Sequence, residues 1–505
     1  MGPKREPSDR TSSSSGDTIT RNTVFAMATQ LSTAFFTAVL TIYLVRALGP
    51  SGFGTFALAL GITGLLTRPS DLGTTQSAAR FVAERHGDTQ GVVGVLGMAL
   101  RTRLATAVAI AVVVFALAGP ISNAYSAPEL VWPLRGAAIA LFGQSVFRFF
   151  ATIFIALRLT SRGFTLVLSE SAIEFTASVA LVLIGGGATG AAFGRAVGYL
   201  FGALLGLVLL GRLLGRSPLF GTGPSPVGRR AFVSYAGAML IVQGAWSAFS
   251  QIDVLLIGAF LSGHAVGIFS APLRLIAFLG YPGLALAQGV GPRLARHPQE
   301  RPQVAALERA IRYIVMAQAA LLPFVTVWAA PITVLALGST FSDSASVLRA
   351  LSPYVFLSGL GPVLVMPLNY MGEARRRIPI SIATLLVNAA IDIVLIPRIG
   401  ILGAAVGSDV AYALYVAANL WLCHSLLDLP LGPLTRTAAR SALAAGAMAI
   451  VLAVFGTDSL SVFEWLGGAA TGTAAFIAVL LLTRELSLSE ILSAFRLPMR
   501  ALRSG

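Results

Sequence analysis

Eight charged side chains stand inside apolar runs of this sequence, where each needs a physical reason to be. Arg148, Arg195 and Arg274 carry guanidinium groups, planar forks that donate paired hydrogen bonds to phosphate or carboxylate oxygens. Glu170 and Glu174 are spaced i,i+4, so a helix presents both carboxylates on one face. Two acids that close favour sharing a proton, and a sodium ion wants the same oxygens. Asp253, Asp392 and Asp409 complete the set. Asp392 and Asp409 fall on consecutive helices and offer a second ion site. The competing reading is pairing: Asp253 with Arg274, and the two glutamates with Arg148 or Arg195. Arg68 and Asp71, spaced i,i+3, are expected to pair with each other or to snorkel. Asn369 and Asn388 are polar candidates for a cavity or, more simply, for an interhelical hydrogen bond. His86, His264, His297 and His424 have no ligand spacing with Cys or acid partners, so neither a metal site nor a cofactor is expected. No GxxxxGK[ST] loop occurs, which removes ATP as a direct energy source.

These charges matter because of their setting. Of 505 residues, 56% are apolar and only 11% charged, against about 25% charged in an average soluble domain. The apolar residues come in blocks of about twenty, the length that crosses a hydrocarbon layer of about 30 Å as a helix. The composition excludes a soluble enzyme and a nucleic-acid-binding domain, and the single cysteine, Cys423, excludes an intrachain disulfide. An all-α integral membrane protein is predicted. Gly, Pro and charged clusters divide it into about fourteen transmembrane helices, near 22–46, 52–76, 92–118, 135–157, 164–184, 188–211, 232–260, 266–290, 310–337, 346–371, 377–397, 400–424, 437–456 and 463–483. Residues 1–21 read as a disordered cytoplasmic tail, not a signal peptide.

The net charge of +15 is mostly topology. With both termini placed in the cytoplasm, 28 of the 36 basic residues fall in cytoplasmic segments and four in outer loops. That asymmetry orients a membrane protein. Membrane lipids are therefore partners, and nucleic acid is not.

A duplication organises the helices. At an offset of 213 residues, Leu48-Gly49-Pro50-Ser51-Gly52-Phe53-Gly54 lies over Leu261-Ser262-Gly263-His264-Ala265-Val266-Gly267, and Gly190-Ala191-Ala192-Phe193-Gly194 over Gly403-Ala404-Ala405-Val406-Gly407. Arg80 falls on Arg293 and Arg162 on Arg375. Each repeat holds six spans, so both copies have the same orientation, and transporters built this way place the substrate path between their halves. The expected organisation is a six-helix lobe at 22–211, a cytoplasmic linker at 212–231, and a second six-helix lobe at 232–424. Two further helices at 425–483 and a cytoplasmic tail at 484–505 follow. Helix six carries glycines at 190, 194, 198, 202 and 206, a spacing that permits close helix approach.

The run Tyr43-Leu44-Val45-Arg46-Ala47-Leu48-Gly49-Pro50-Ser51-Gly52-Phe53-Gly54 resembles the first hairpin of polysaccharide-type flippases. So does Gln251-Ile252-Asp253-Val254-Leu255-Leu256-Ile257-Gly258, which leads to Gly267-Ile268-Phe269-Ser270-Ala271-Pro272-Leu273-Arg274. Leu395-Ile396-Pro397-Arg398-Ile399-Gly400 is similar to the family's turn between helices eleven and twelve. The family belongs to the multidrug/oligosaccharidyl-lipid/polysaccharide (MOP) exporter superfamily. The resemblance implies a two-lobed bundle that opens alternately inward and outward in a bacterial plasma membrane. It also implies an undecaprenyl-pyrophosphate-linked oligosaccharide repeat unit as cargo, and other polysaccharide-assembly proteins as partners. Arg148, Arg195 and Arg274 would then hold the pyrophosphate; Glu170, Glu174, Asp253, Asp392 and Asp409 would couple transport to a proton or sodium ion. Asp392 and Asp409 depart from the family pattern by placing acids where apolar or small residues are usual. Two other functions remain to be weighed. One is a cation-coupled exporter of drugs or small cations in the same superfamily. The other, a membrane glycan polymerase or ligase, would need long outer loops, and the longest here covers 119–134. The chain therefore reads as a transporter, not an enzyme.

Overall fold

The computed structural model of the chain describes residues 12–67, 69–71, 73–83, 89–214, 229–280, 283–284, 286–287, 304–371 and 373–490. Every regular element among the described residues is a helix. In a hydrocarbon layer a helix satisfies its own backbone, and large side chains such as Val454, Phe463 and Leu482 stand more than 80% exposed on its outside. On a soluble protein such a surface would be an interaction site; here it matches a lipid solvent.

The chain divides into two compact units, residues 1–48 with 55–247 and residues 49–54 with 248–505. The first holds most of α1 (Ser12–Thr67), then α2 (Thr74–Ala83), α3 (Thr89–Ala116), α4 (Ala118–Ala124), α5 (Val131–Ala156), α6 (Thr160–Leu181), α7 (Gly187–Leu214) and the start of α8 (Arg229–Phe260). The second continues from α8 through α9 (Gly263–Leu279), α10 (Val304–Val327), α11 (Ala329–Leu337), α12 (Ser344–Ala350), α13 (Ser352–Ser358) and α14 (Leu360–Tyr370). It ends with α15 (Ile378–Ile399), α16 (Ile401–Leu427), α17 (Leu431–Phe455) and α18 (Val462–Leu482).

Nine helical runs among the described residues are long and apolar enough to cross a membrane, or ten if one pair bent by 53° is a single span. Two of the runs are too long for one crossing. Thr160–Leu214 has 55 residues, about 80 Å of helix against about 30 Å of hydrocarbon. It turns at Gly185 (φ 90°), so that α6 packs back along α7. Met27–Thr67 has 41 residues and breaks at Gly49 (φ 64°), just before Pro50.

Several boundaries differ from the sequence reading, each for a local reason. The second expected span stops at Thr67, because Pro69 opens a separate turn, Pro69–Asp71. There the Asp71 carboxylate accepts the Thr75 backbone N–H at 3.0 Å and the Thr75 hydroxyl at 2.7 Å, capping α2. The expected span at 346–371 consists of three short helices, bent where Pro353 enters α13. Helix α1 begins at Ser12, inside the segment expected to be a tail, and residues 215–228 of the expected linker lie outside the described residues. Ser51 and His264, 213 positions apart, approach to 3.5 Å (Oγ to Nδ1). The backbone of Gly54 lies against Gly263 and Gly267, and that of Gly267 against Pro50.

Asp71 corrects a pairing. It forms its ion pair with Arg103 of α3; Arg68 lies outside the described residues. Arg103 counts as a cytoplasmic marker in the sequence, yet it is buried, and its Nε and Nη2 donate to the Ser145 carbonyl at 3.2 and 3.0 Å.

Helices α17 and α18 are fastened to the second unit at two points. The break between α10 and α11 is filled by Trp328, fully buried. Its indole N–H is shared between the carbonyls of Leu452 and Gly456 at 3.2 and 3.1 Å, and its ring meets Trp465 edge-on at 4.8 Å. Beyond the end of α18, the buried Glu485 carboxylate accepts from Arg312 Nε and Arg440 Nη1 at 2.9 Å each, and from the Thr437 hydroxyl at 2.6 Å. Arg312 also reaches Glu490 at 2.9 Å. Burial alone would raise the Glu485 carboxyl, but the bonds from Thr437, Arg440 and Arg312 outweigh it and hold it below its ordinary value. The Arg312 bond pulls Glu490 down to about 2. A depressed folded-state pKa stabilises above the unfolded value and is lost as pH falls through the folded one. Glu485→Gln should therefore cost about 1–3 kcal/mol at neutral pH. Melting curves of the native and substituted chains should converge as pH falls from about 5 toward 3.

Candidate functional site

The second unit builds its polar site from three helices. Asp253 stands on α8, Asn388 and Asp392 one turn apart on α15, and Ser408 on α16; all four are buried. Asn388 Nδ2 donates to Asp253 Oδ1 at 2.6 Å and to Asp392 Oδ2 at 3.0 Å. The Ser408 hydroxyl donates to Asp253 Oδ2 at 2.5 Å. The two carboxyl groups are themselves within hydrogen-bonding reach of each other, an arrangement that two bare carboxylates cannot hold. A proton or a cation between them would relieve that repulsion. Two further oxygens, Asn388 Oδ1 and Asp392 Oδ1, are buried with no hydrogen-bond partner. An orphaned buried acceptor is costly. No group of three or more His, Cys, Asp or Glu able to hold a metal ion occurs among the described residues. The donor set, two carboxylates with neutral oxygens, fits a proton or a monovalent ion best.

Asp409 lies beside this cluster, where its Oδ1 accepts the Tyr354 backbone N–H at 2.9 Å. The sequence reading joined Asp392 to Asp409; the structure joins Asp392 to Asp253 instead. On a helix, adjacent residues point about 100° apart, so Ser408 faces Asp253 of α8 while its neighbour Asp409 turns toward Tyr354. An aromatic column continues from there, with Tyr354 against Tyr412 at 4.9 Å and Tyr412 against Tyr415 at 5.5 Å.

The first unit holds a different cluster on α5, α6 and α7. Glu174 and Arg195 form an ion pair at 2.7 Å, and Arg195 Nη2 donates to the Tyr199 hydroxyl at 3.0 Å. Gln144 Nε2 donates to the same hydroxyl at 2.8 Å, and the exposed Arg148 lies within electrostatic reach of it. Glu170 is buried, within hydrogen-bonding reach of Glu174, and accepts from the Ser171 hydroxyl at 3.2 Å. The glycines of α7 make room for these acids. A Cβ on Gly198 would come within 2.5 Å of Glu174 Cβ, and one on Gly202 within 2.9 Å of Glu170 Cγ. The glycine stripe is thus the floor on which the two carboxylates rest.

Of the residues expected to hold phosphate, Arg195 is engaged by Glu174, whereas Arg148 stands exposed near it and Arg274 stands exposed on α9 of the second unit. Ser408, Tyr199 and Gln144 were not anticipated. Ser408 lies 213 residues after Arg195, but the same offset places Glu170 and Glu174 on Ala383 and Val387, so the repeat does not align the acids of the two clusters.

A family model described as polysaccharide biosynthesis protein matches residues 19–280, more than half of the chain. The chain belongs to the polysaccharide biosynthesis protein family. No curated protein matches the sequence. Among solved structures, the lipid II flippase MurJ in an inward closed conformation superposes with a TM-score of 0.69 at 14% identity, over 92% of this chain and 99% of that one. A multidrug-resistance MATE transporter of the MOP superfamily, inward-facing, gives 0.63 at 16%, over 78% of this chain and 95% of that one. The MATE multidrug transporter DinF-BH gives 0.60 at 15%, over 84% and 99%. At these identities the likeness establishes the fold: this member of the polysaccharide biosynthesis family is an all-helical membrane protein with the architecture of MOP transporters.

Proposed function

We propose that this protein flips an undecaprenyl-pyrophosphate-linked oligosaccharide repeat unit from the cytoplasmic to the outer leaflet of a bacterial plasma membrane. It works by alternating access, with both termini in the cytoplasm, and is driven by a monovalent cation. The observation that carries this reading is the buried set Asp253, Asn388, Asp392 and Ser408. A structural core gains nothing from bringing two carboxyls of separate helices together, whereas a secondary transporter needs a site whose charge changes with the bound ion. Membership of a polysaccharide biosynthesis family supports that cargo class, as does a fold shared with a protein that is itself a lipid II flippase. Arg148 on the first unit and Arg274 on the second are each taken as contacts for the cargo's phosphates, and Arg195 is a reserve of positive charge released when Glu174 takes a proton.

The reading is tested by reconstituting the protein in liposomes with a fluorescent undecaprenyl-pyrophosphate glycan and adding an impermeant quencher outside. Protein-dependent movement between leaflets is expected, accelerated by a sodium or proton gradient. Failure to move any of several glycans would sink it.

A further inference from the structure

The second unit contains a buried cation that neither polar cluster uses. Arg377 sits at the start of α15 and is only 6% exposed. Its Nε donates to Asn419 Oδ1 at 3.1 Å, its Nη1 to Asn369 Oδ1 at 2.9 Å, and its Nη2 to the Tyr415 hydroxyl at 2.8 Å. The orientation is fixed from behind, because Asn419 Nδ2 donates to the Tyr415 carbonyl at 2.8 Å and so turns its oxygen toward the guanidinium. All three acceptors are neutral. A guanidinium has five N–H donors, so two remain, and its charge meets no carboxylate among these partners. Burying a charge without a counter-charge is costly unless something supplies one. Of its chain neighbours, Arg375 is exposed and adds to the positive field, while the charge of Arg376 is offset by Glu373 at 2.9 Å.

We infer that Arg377 is the core of a phosphate-binding site, at the end of the second unit that the arginine distribution assigns to the cytoplasm. The ligand chemistry is a phosphate or pyrophosphate group, which takes two parallel hydrogen bonds from an arginine fork. Asn369 is exposed, and its side-chain oxygen is the acceptor that an arriving phosphate oxygen replaces. The assignment of that phosphate to a lipid-linked cargo rests on the proposed function; an anionic lipid headgroup is the other source of the same chemistry.

The test uses full-length protein in phosphatidylcholine nanodiscs, with binding of inorganic pyrophosphate and of undecaprenyl pyrophosphate followed by thermal stabilisation. Asn369→Asp places a carboxylate against Arg377 without changing shape. It should keep or raise the melting temperature while weakening both ligands at least tenfold. Unchanged binding would reduce Arg377 to a rivet between three helices and overturn the site. Should Asn369→Asp not fold, Asn369→Ala removes only the replaceable acceptor and must bind pyrophosphate at least as tightly as the native chain; a tenfold loss there overturns the site equally. Displacement of undecaprenyl pyrophosphate by a modest excess of phosphatidylglycerol would assign the site to bulk lipid and overturn its assignment to cargo. The two readings fail separately: no glycan transport by the native chain sinks the flippase, while pyrophosphate binding unaffected by Asn369→Asp sinks only this site.

Discussion

Asp392→Asn is expected to abolish cation-driven transport while leaving the protein folded. The substitution keeps an oxygen where Asn388 Nδ2 donates at 3.0 Å, and it puts an amide where Asp392 Oδ1 is buried without a partner. That amide can donate to Asp253, as a shared proton or a bound ion would. The fold loses no hydrogen bond and sheds the repulsion of two neighbouring carboxyls, so stability should stay within about 1 kcal/mol. The ion loses a charged ligand, worth about 1.5–3 kcal/mol, or roughly 10- to 150-fold in affinity. The checking measurement is the sodium-induced rise in melting temperature, since a ligand that binds only the folded state stabilises it by mass action. The native chain should show that rise and the variant should not. A variant with full sodium stabilisation and native transport would remove Asp392 from the coupling site. A native chain indifferent to sodium, but with transport tied to a proton gradient, would identify the shared particle as a proton.

Much of this was legible in the sequence, and what was not has a common cause. The apolar runs located the helices, because a span must be about twenty residues long whatever its neighbours are. The breaks at Gly49 and Gly185 fall at the glycine and proline clusters that divide the sequence, and Gly400 closes the run that resembles the family's turn between helices eleven and twelve. All the acids of the two clusters stood out as charges in apolar surroundings. Their partners did not. Asp253 and Asp392 are 139 residues apart, and whether they face one another depends on how α8 and α15 are rotated about their axes, which no local pattern encodes. The same limit misassigned Asp71, whose partner Arg103 read as one more basic residue near a helix end, and it hid Arg377 within the run of arginines at 375–377. The glycines of α7 were plain to see. Their purpose, seating Glu170 and Glu174, appears only when α6 lies antiparallel on α7, with residues 170 and 174 opposite 202 and 198. Residue type is local information; rotational register is not.

Arg195→Gln should be among the most disruptive single changes in the first unit, and Glu174→Gln should rescue much of it. With Arg195 gone, Glu174 loses its ion pair at 2.7 Å while Glu170 remains beside it. The Tyr199 hydroxyl keeps only the donor Gln144 at 2.8 Å. Removing one partner of a buried pair costs about 3–5 kcal/mol. Arg195 is 28% and Glu174 12% exposed, so some solvent reaches the pair and the lower end of that range applies. In the double variant no charge is stranded, and two amides can bond to each other and to Tyr199. The coupling energy of the cycle should reach about 1–3 kcal/mol, read from the melting temperatures of the four proteins. The cycle also separates stability from function. If the pair is architectural, the double variant should transport at close to the native rate once it folds. If Arg195 lends its charge to the cargo, the double variant should fold and still transport poorly, because restoring neutrality does not restore a phosphate ligand.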